Sequence, residues 1–515
     1  MNLQEIQERT TSTDYYHGIF LAVICALGGL LRIHTLGFDS FWLDETITMH
    51  FVLTMSYAEL LTELPKVQPH LPLYYVLLKA WIALVGTEEQ AVRLLSATVS
   101  LLTIPVLYAL GRRLYGFQVG AVAALLFAIN PFQIYFAQEA RMYALLAFLT
   151  VLSYYCLLTM LQVPSTTTTG GYILTAVLLA YTHVYGFFII AAQLLYYTGL
   201  LVHKYADVRS YLSRWSGVVL PITVASIPPV GVIAAKVFVP HSYGSGAQVR
   251  HIATPPAWHD VTATFVRFIV RSPHPPWTTV VLLGLFVGVF GSLFVPRKAL
   301  STYKSVLLWS WLIVPIGIAI SASYLVQPIY SPKYLIGCSI ALYLLFARGI
   351  MFIPRPNVRT ALLGLILIST VAPVSYQYTH HQKREFEAAA NFVDQRYSSQ
   401  DLIVVDKRKI TSPFGYYFDK QGMKTVGDIA GPLRPTIRKQ VRHTDTVWTI
   451  FSISKQSHRS KVLQFVRRTH NQTLVRHFAG ITVYKFIEEK QKRMPDITSI
   501  YSITDIVLKR RVSGL

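Results

Sequence analysis

Long apolar runs separated by short polar stretches dominate the first three quarters of the chain. Runs long enough to cross a bilayer as a helix, about 17–25 residues, lie near 17–34, 93–111, 118–137, 142–162, 216–238, 277–295, 305–326, 334–353 and 359–377. The stretch 171–203 is broken at His183 to Gly186 and reads as two further spans, so the pattern predicts about eleven transmembrane helices within 1–379. The run from Leu73 to Gly86 is too short to cross and reads as an interfacial or re-entrant helix inside a first loop, 35–92. From about His380 the pattern changes. Phe386 to Tyr397 carries apolar residues at helical spacing, Leu402 to Val405 is a short buried-strand pattern, and strand-like runs recur at 447–453 and 480–486, the latter after a helix-like 461–468. Residues 380–515 are therefore expected to form a small α/β domain.

Composition agrees with a polytopic α-helical membrane protein. Of 515 residues, 53% are hydrophobic and 14% charged, whereas soluble domains carry about a quarter charged. Thr11 to Tyr16 is polar and the apolar run behind it lacks a small-residue cleavage site, so the first helix is expected to remain as an anchor. Cys25, Cys156 and Cys338 lie far apart within apolar runs, which offers neither a disulfide framework nor a zinc spacing.

Charge sets the expected orientation. With a cytoplasmic N-terminus, the basic residues Arg112, Arg113, Lys204, Arg209, Arg214, Arg297, Lys298, Lys304, Arg355 and Arg359 all fall on the cytoplasmic side. Nine acids, from Asp39 to Asp260, then fall on the outer side. The C-terminal domain is expected to be extracytoplasmic, in a cell or inner membrane. Residues 380–515 hold 25 lysines and arginines against 12 aspartates and glutamates. Such a surface suits anionic lipid head groups or phosphates, or is simply solvated. No nucleic-acid partner is expected.

The candidate chemistry lies on the outer side. Asp39, Asp44 and Glu45 crowd between aromatics at the mouth of the first span, where an ionised group is costly unless used. Adjacent carboxylates point in different directions, so one can act as general base while its neighbour holds a hydrogen bond or a cation. The same loop supplies Gln68-Pro69-His70-Leu71-Pro72-Leu73-Tyr74-Tyr75, where prolines fix the backbone around His70 and Tyr74 follows as a further orienting candidate. A second cluster, Gln138-Glu139-Ala140-Arg141-Met142-Tyr143, returns the chain to the membrane. Its Arg141 suits a phosphate or carboxylate, or a structural ion pair with a first-loop acid. His183 and Tyr185 interrupt an apolar run at the same level, and Lys333 and Tyr334 open a later span, where Lys333 either meets a phosphate or snorkels to the interface. The outer loop 239–276, rich in Pro, Gly and His, is of a kind that closes over a cavity. Asn471-Gln472-Thr473 matches a glycosylation acceptor, a tripeptide common by chance.

The ordered series resembles the family 39-like glycosyltransferases of the GT-C superfamily, relatives of the protein O-mannosyltransferases and the lipid A aminoarabinose transferase. It comprises the acidic pair, the His/Pro-Leu-Tyr-Tyr element, Arg93-Leu94-Leu95-Ser96, Gly111-Arg112-Arg113-Leu114-Tyr115-Gly116, the Gln138 to Tyr143 element and Ser331-Pro332-Lys333-Tyr334-Leu335. Leu71 stands where many relatives carry proline and Lys333 where many carry arginine. The resemblance spans roughly residues 15–380 and implies a GT-C fold with a polyprenyl-phosphate sugar as donor. It further implies inversion at the anomeric centre on the non-cytoplasmic face, with Asp44 deprotonating the acceptor and Arg141 and Lys333 holding the departing phosphate. The acceptor, whether protein, lipid or glycan, is left open. No nucleotide site is needed and no Gly-rich nucleotide loop is present; the one cofactor the residues could take is a divalent metal, through Asp44, Glu45 or His70. The rival reading is a transporter or flippase of lipid-linked sugars; it should show paired broken helices, and the sequence offers a single break.

Overall fold

The computed structural model describes residues 3–67, 71–204, 207–238, 254–271, 302–405, 408–418, 435–452 and 462–489. The chain divides into two compact units, one of residues 1–37 and 48–380, the other of residues 38–47 and 381–515.

The first unit is helical. Its elements are α1 (Leu3–Ile33), α2 (Leu43–Thr54, whose first five residues count with the second unit), α3 (Tyr57–Thr62), α4 (Leu64–Val67), α5 (Leu73–Val85), α6 (Glu89–Tyr115), α7 (Phe117–Ile129) and α8 (Pro131–Ala137). They continue with α9 (Tyr143–Gln162), α10 (Thr166–Ala180), α11 (Val184–Lys204), α12 (Val208–Phe238), α13 (Trp258–Ile269), α14 (Thr302–Leu325), α15 (Ile336–Met351) and α16 (Pro356–Thr379). Among the described residues eight helices are long and apolar enough to cross a membrane, or nine if α7 with α8, bent by 61°, is one broken span. The described residues do not confirm the expected count of eleven. The run 277–295 lies outside the described residues, and the first half of 171–203 is represented by α10, an apolar helix of 15 residues, shorter than a full span.

The bend between α7 and α8 has a local cause. Pro131 has no N–H and holds Asn130 in an extended conformation (φ −71°, ψ 123°), so the α7 ladder stops. The Asn130 side chain then accepts from the backbone N–H groups of Phe132 and Gln133 and restarts the helix. This strands the last carbonyls of α7, and Arg32 of α1, fully buried, supplies their donors: its guanidinium reaches Phe127 O at 3.3 Å and Ala128 O at 2.9 Å, with Ser100 Oγ at 2.8 Å. Arg32→Met should therefore lower stability by about 2–5 kcal/mol, because each buried carbonyl left without a donor costs about 1–3 kcal/mol. A lowered thermal midpoint in detergent is the measurement.

Two glycines allow the tight connections. Gly116 joins α6 to α7 at φ +92°, a conformation that side chains rarely adopt. Gly186 lets the first turn of α11 lie against the Leu179 carbonyl, leaving no room for a Cβ.

The second unit carries a four-stranded sheet of β1 (Leu402–Val405), β2 (Thr446–Ser452), β3 (His470–Phe478) and β4 (Ile481–Glu488), in the order β1-β2-β4-β3. β1 and β2 are parallel and the other pairs antiparallel. Its helices are α17 (Phe386–Asp394), α18 (Arg408–Tyr417) and α19 (Pro435–Arg442). Alternation along β1 splits the core: Ile403 and Val405 pack with Phe386, Phe414 and Trp448, while Leu402 and Val404 pack with Val447, Val466 and Phe486 on the other face. Three strands coincide with the expected runs. The fourth, β3, is an edge strand whose polar start buries His470 but leaves Asn471, Gln472 and Thr473 exposed, so it gives no buried-strand pattern. The Asn471 tripeptide lies on it, exposed.

Candidate active site

Arg141 sits in the short turn between α8 and α9, 3% exposed. The turn is held tight, with the Arg141 N–H donating to Glu139 O at 2.8 Å and Gln138 Nε2 donating to His34 O at 2.8 Å. Glu139 is buried in the same turn. The Arg141 guanidinium then reaches Thr48 Oγ1 of α2 at 2.9 Å and Tyr75 Oη of α5 at 3.2 Å. Tyr74 faces the other way. Its hydroxyl meets Ser96 Oγ at 2.9 Å, and Ser96 in turn donates to the Arg141 carbonyl at 3.4 Å. Tyr74 thus supports the turn from behind, while Tyr75, its neighbour in the same element, touches the guanidinium.

Around Arg141 the first unit gathers most of the sequence candidates. Lys333, in the 3-10 turn Pro332–Leu335, places its ammonium 5.6 Å from the Tyr143 ring centroid and 5.1 Å from that of Tyr334. The Arg141 guanidinium lies 6.0 Å from the same Tyr143 ring. His183 stands 4.8 Å from Tyr334 and 5.5 Å from Tyr185, ring to ring, and Tyr185 fixes the opposite wall by donating to Ile329 O at 2.7 Å. Two cations therefore share a wall of tyrosines with one imidazole. That is a site able to receive an anion whose attached group is apolar or sugar-like.

The imidazole is kept neutral. His183, between α10 and α11, accepts the Tyr185 N–H on Nδ1 at 3.1 Å. Burial, then the positive charges of Arg141 and Lys333, hold it down to about 3. An unfolded histidine takes a proton near pH 6.5, so the folded state loses stability as the pH falls below that value. Between pH 6.5 and 5 the loss should reach about 2 kcal/mol at about 1.4 kcal/mol per pH unit. The fall in thermal midpoint on acidification should shrink in His183→Gln, and an unchanged fall would remove the role assigned to burial.

Asp39, Asp44 and Glu45 belong to the second unit's segment 38–47. Asp39 is engaged there: Oδ1 lies 3.0 Å from His381 Nδ1 and Oδ2 accepts the Gln382 N–H at 3.2 Å, while Phe38 stacks on the His381 ring. Glu45 is fully buried and its Oε2 lies 3.0 Å from Lys383 Nζ. Asp44 is half-buried in the first turn of α2. His70 lies outside the described residues. Among the described residues no group of three or more His, Cys, Asp or Glu side chains is placed to hold a metal ion.

The sequence reading missed Thr48 and Tyr75. Thr48 carries no signal, being an uncharged residue one turn along α2, and Tyr75 lies beside Tyr74 at the end of the Gln68 to Tyr75 element. It also missed α13 within the outer loop, which is fastened by Thr264 to Tyr330 (2.8 Å) and by Asn130 and Tyr343 to the Phe268 carbonyl (3.0 and 2.9 Å). The rest of that loop lies outside the described residues.

Residues 67–236 match the family model described as dolichyl-phosphate-mannose-protein mannosyltransferase. Among solved structures the chain is similar to ArnT from Cupriavidus metallidurans bound to undecaprenyl phosphate, with 12% identity and a TM-score of 0.58 over 93% of this chain and 99% of that one. The chain has a GT-C fold. The same GT-C fold relates it to the oligosaccharyltransferase of Archaeoglobus fulgidus in the apo form, at 11% identity and a TM-score of 0.53 over 94% of this chain and 75% of that one. It is likewise similar to AglB from Archaeoglobus fulgidus in complex with an inhibitory peptide and a dolichol-phosphate, at 11% identity and a TM-score of 0.50 over the same shares of 94% and 75%. No curated protein matches the chain by sequence. The family match takes in α5 to α11 and Arg141 with them.

Proposed function

We propose that the protein transfers a sugar from a polyprenyl-phosphate carrier to an acceptor hydroxyl on the non-cytoplasmic face of the membrane, with inversion at the anomeric centre. The observation that carries this reading is the gathering of Arg141, Lys333, His183, Tyr143, Tyr185 and Tyr334 in one unit. A phosphate leaving from an anomeric carbon accumulates charge as the bond breaks, and preorganised cations favour that state over the ground state. A neutral imidazole beside them adds no third positive charge, and with Nδ1 accepting the Tyr185 N–H its Nε2–H is left as a hydrogen-bond donor. The polyprenyl phosphates named with ArnT and AglB support this class of donor.

In this mechanism Asp44 removes the proton from the acceptor hydroxyl as that oxygen attacks the anomeric carbon, and the carbon–phosphate oxygen bond breaks on the opposite side. The electron pair leaves with polyprenyl phosphate, held by Arg141 and Lys333. Asp44 suits the task because it is a half-buried carboxylate in the first turn of α2. Orientation follows the basic loops: the N-terminus is cytoplasmic and the second unit extracytoplasmic.

The test is incubation of the purified protein in detergent with a panel of polyprenyl-phosphate sugars and a membrane extract as acceptor source, following free polyprenyl phosphate. Release with one donor is the expected result. Tight binding of a donor with no release from any would instead favour a carrier of lipid-linked sugars.

A further inference from the structure

The second unit holds a buried ion pair that the proposed chemistry does not yet use. Glu45 has no exposed surface and its partner Lys383 has a side chain 5% exposed. Glu45 Oε2 receives both the Lys383 ammonium at 3.0 Å and the backbone N–H of Trp42, the residue preceding α2, at 3.3 Å. One carboxylate oxygen therefore closes the helix start and neutralises a lysine delivered from sequence more than three hundred residues away. The same segment is fixed on either side of the pair. Phe41 N–H donates to Tyr417 Oη at 2.6 Å, and Ser40 Oγ accepts the Glu387 N–H at 3.2 Å.

We propose that Lys383 is a positioning residue for the transfer reaction: by holding Glu45 it fixes the first turn of α2 and hence the direction in which Asp44 leaves the helix. The inference rests on the reading of Asp44 as the base. Adjacent helical residues diverge by about 100°, so a first turn pinned through one of the two directs the other. A carboxylate with no exposure keeps its charge only beside a partner. Without the lysine, Glu45 loses the ammonium held 3.0 Å from its Oε2, and the grip on the helix start weakens. A base displaced by about 1 Å loses on the order of a hundredfold in rate while the donor site remains intact.

The experiment compares Lys383→Met, Lys383→Arg and the double variant Glu45→Gln/Lys383→Met with wild type and Asp44→Asn, in the release assay with the full-length protein. Lys383→Met should lower kcat about a hundredfold with the KM for donor little changed, and Lys383→Arg should recover most of it. In the double variant no buried charge is left alone, so the thermal midpoint should return towards wild type while kcat stays low. The proposal is overturned if Lys383→Met keeps a wild-type kcat, or if the double variant recovers kcat together with its midpoint, which would make the pair a matter of stability alone. Full activity in Asp44→Asn would instead remove the base assignment itself.

Discussion

Asp44→Asn should abolish transfer, lowering kcat by about 10²–10⁴-fold, the range over which a positioned general base contributes. The substitution is close in size and removes only the ability to accept a proton, so binding of the donor should persist. That separation makes the measurement decisive. Asp44 is half-buried in the first turn of α2, and its neighbour Glu45 is already taken by Lys383 and the Trp42 N–H. Glu45→Gln should act differently, lowering the thermal midpoint together with kcat, because the buried Lys383 ammonium then loses the Glu45 carboxylate. A fully active, normally folded Asp44→Asn protein would sink the mechanism.

Arg141→Met should lower kcat by about 10²–10³-fold, a loss comparable to removing one preorganised donor from a site of developing negative charge. Donor affinity should fall as well, since the phosphate is charged in the bound state too. Arg141→Lys should recover little. The guanidinium is oriented by Thr48 Oγ1 at 2.9 Å and Tyr75 Oη at 3.2 Å while also facing the Tyr143 ring, and a single ammonium cannot keep that planar arrangement. Tyr75→Phe should show a milder version of the same defect. Lys333→Arg is expected to be tolerated, because Lys333 approaches the tyrosine wall from a short turn as a point charge. The readouts are single-turnover release of polyprenyl phosphate and donor binding, and an Arg141→Met protein equal to wild type in both would dissociate the cation cluster from the phosphate.

The two clusters of candidates differ in how the structure treats them. Arg141, Lys333, His183, Tyr143, Tyr185 and Tyr334 come from three separate turns, yet one unit assembles them. Asp39, by contrast, turns its two oxygens to His381 and the Gln382 N–H and serves to hold its segment. Tyr74 props the Arg141 turn through Ser96 rather than facing the cations.

What the sequence by itself determined was whatever depends on composition and local periodicity. Apolar runs of span length located most of the helices, because a bilayer demands unbroken hydrogen bonding and an apolar surface along each one. Pro131 and Asn130 encode the bend between α7 and α8, and the alternation in 402–405 encodes a strand covered on both faces. Charged and aromatic residues at the ends of spans marked the candidate chemistry, since such residues are costly there. The tertiary structure alone decided which of them meet. Thr48 and Tyr75 orient Arg141, yet an uncharged hydroxyl on a helix carries no mark of its partner. The edge strand β3 was hidden because its polar start gives no buried-strand pattern. Lys383 lies 338 residues from Glu45, and no local pattern connects them: a buried ion pair is fixed by the fold that removes both groups from water, not by the spacing of either.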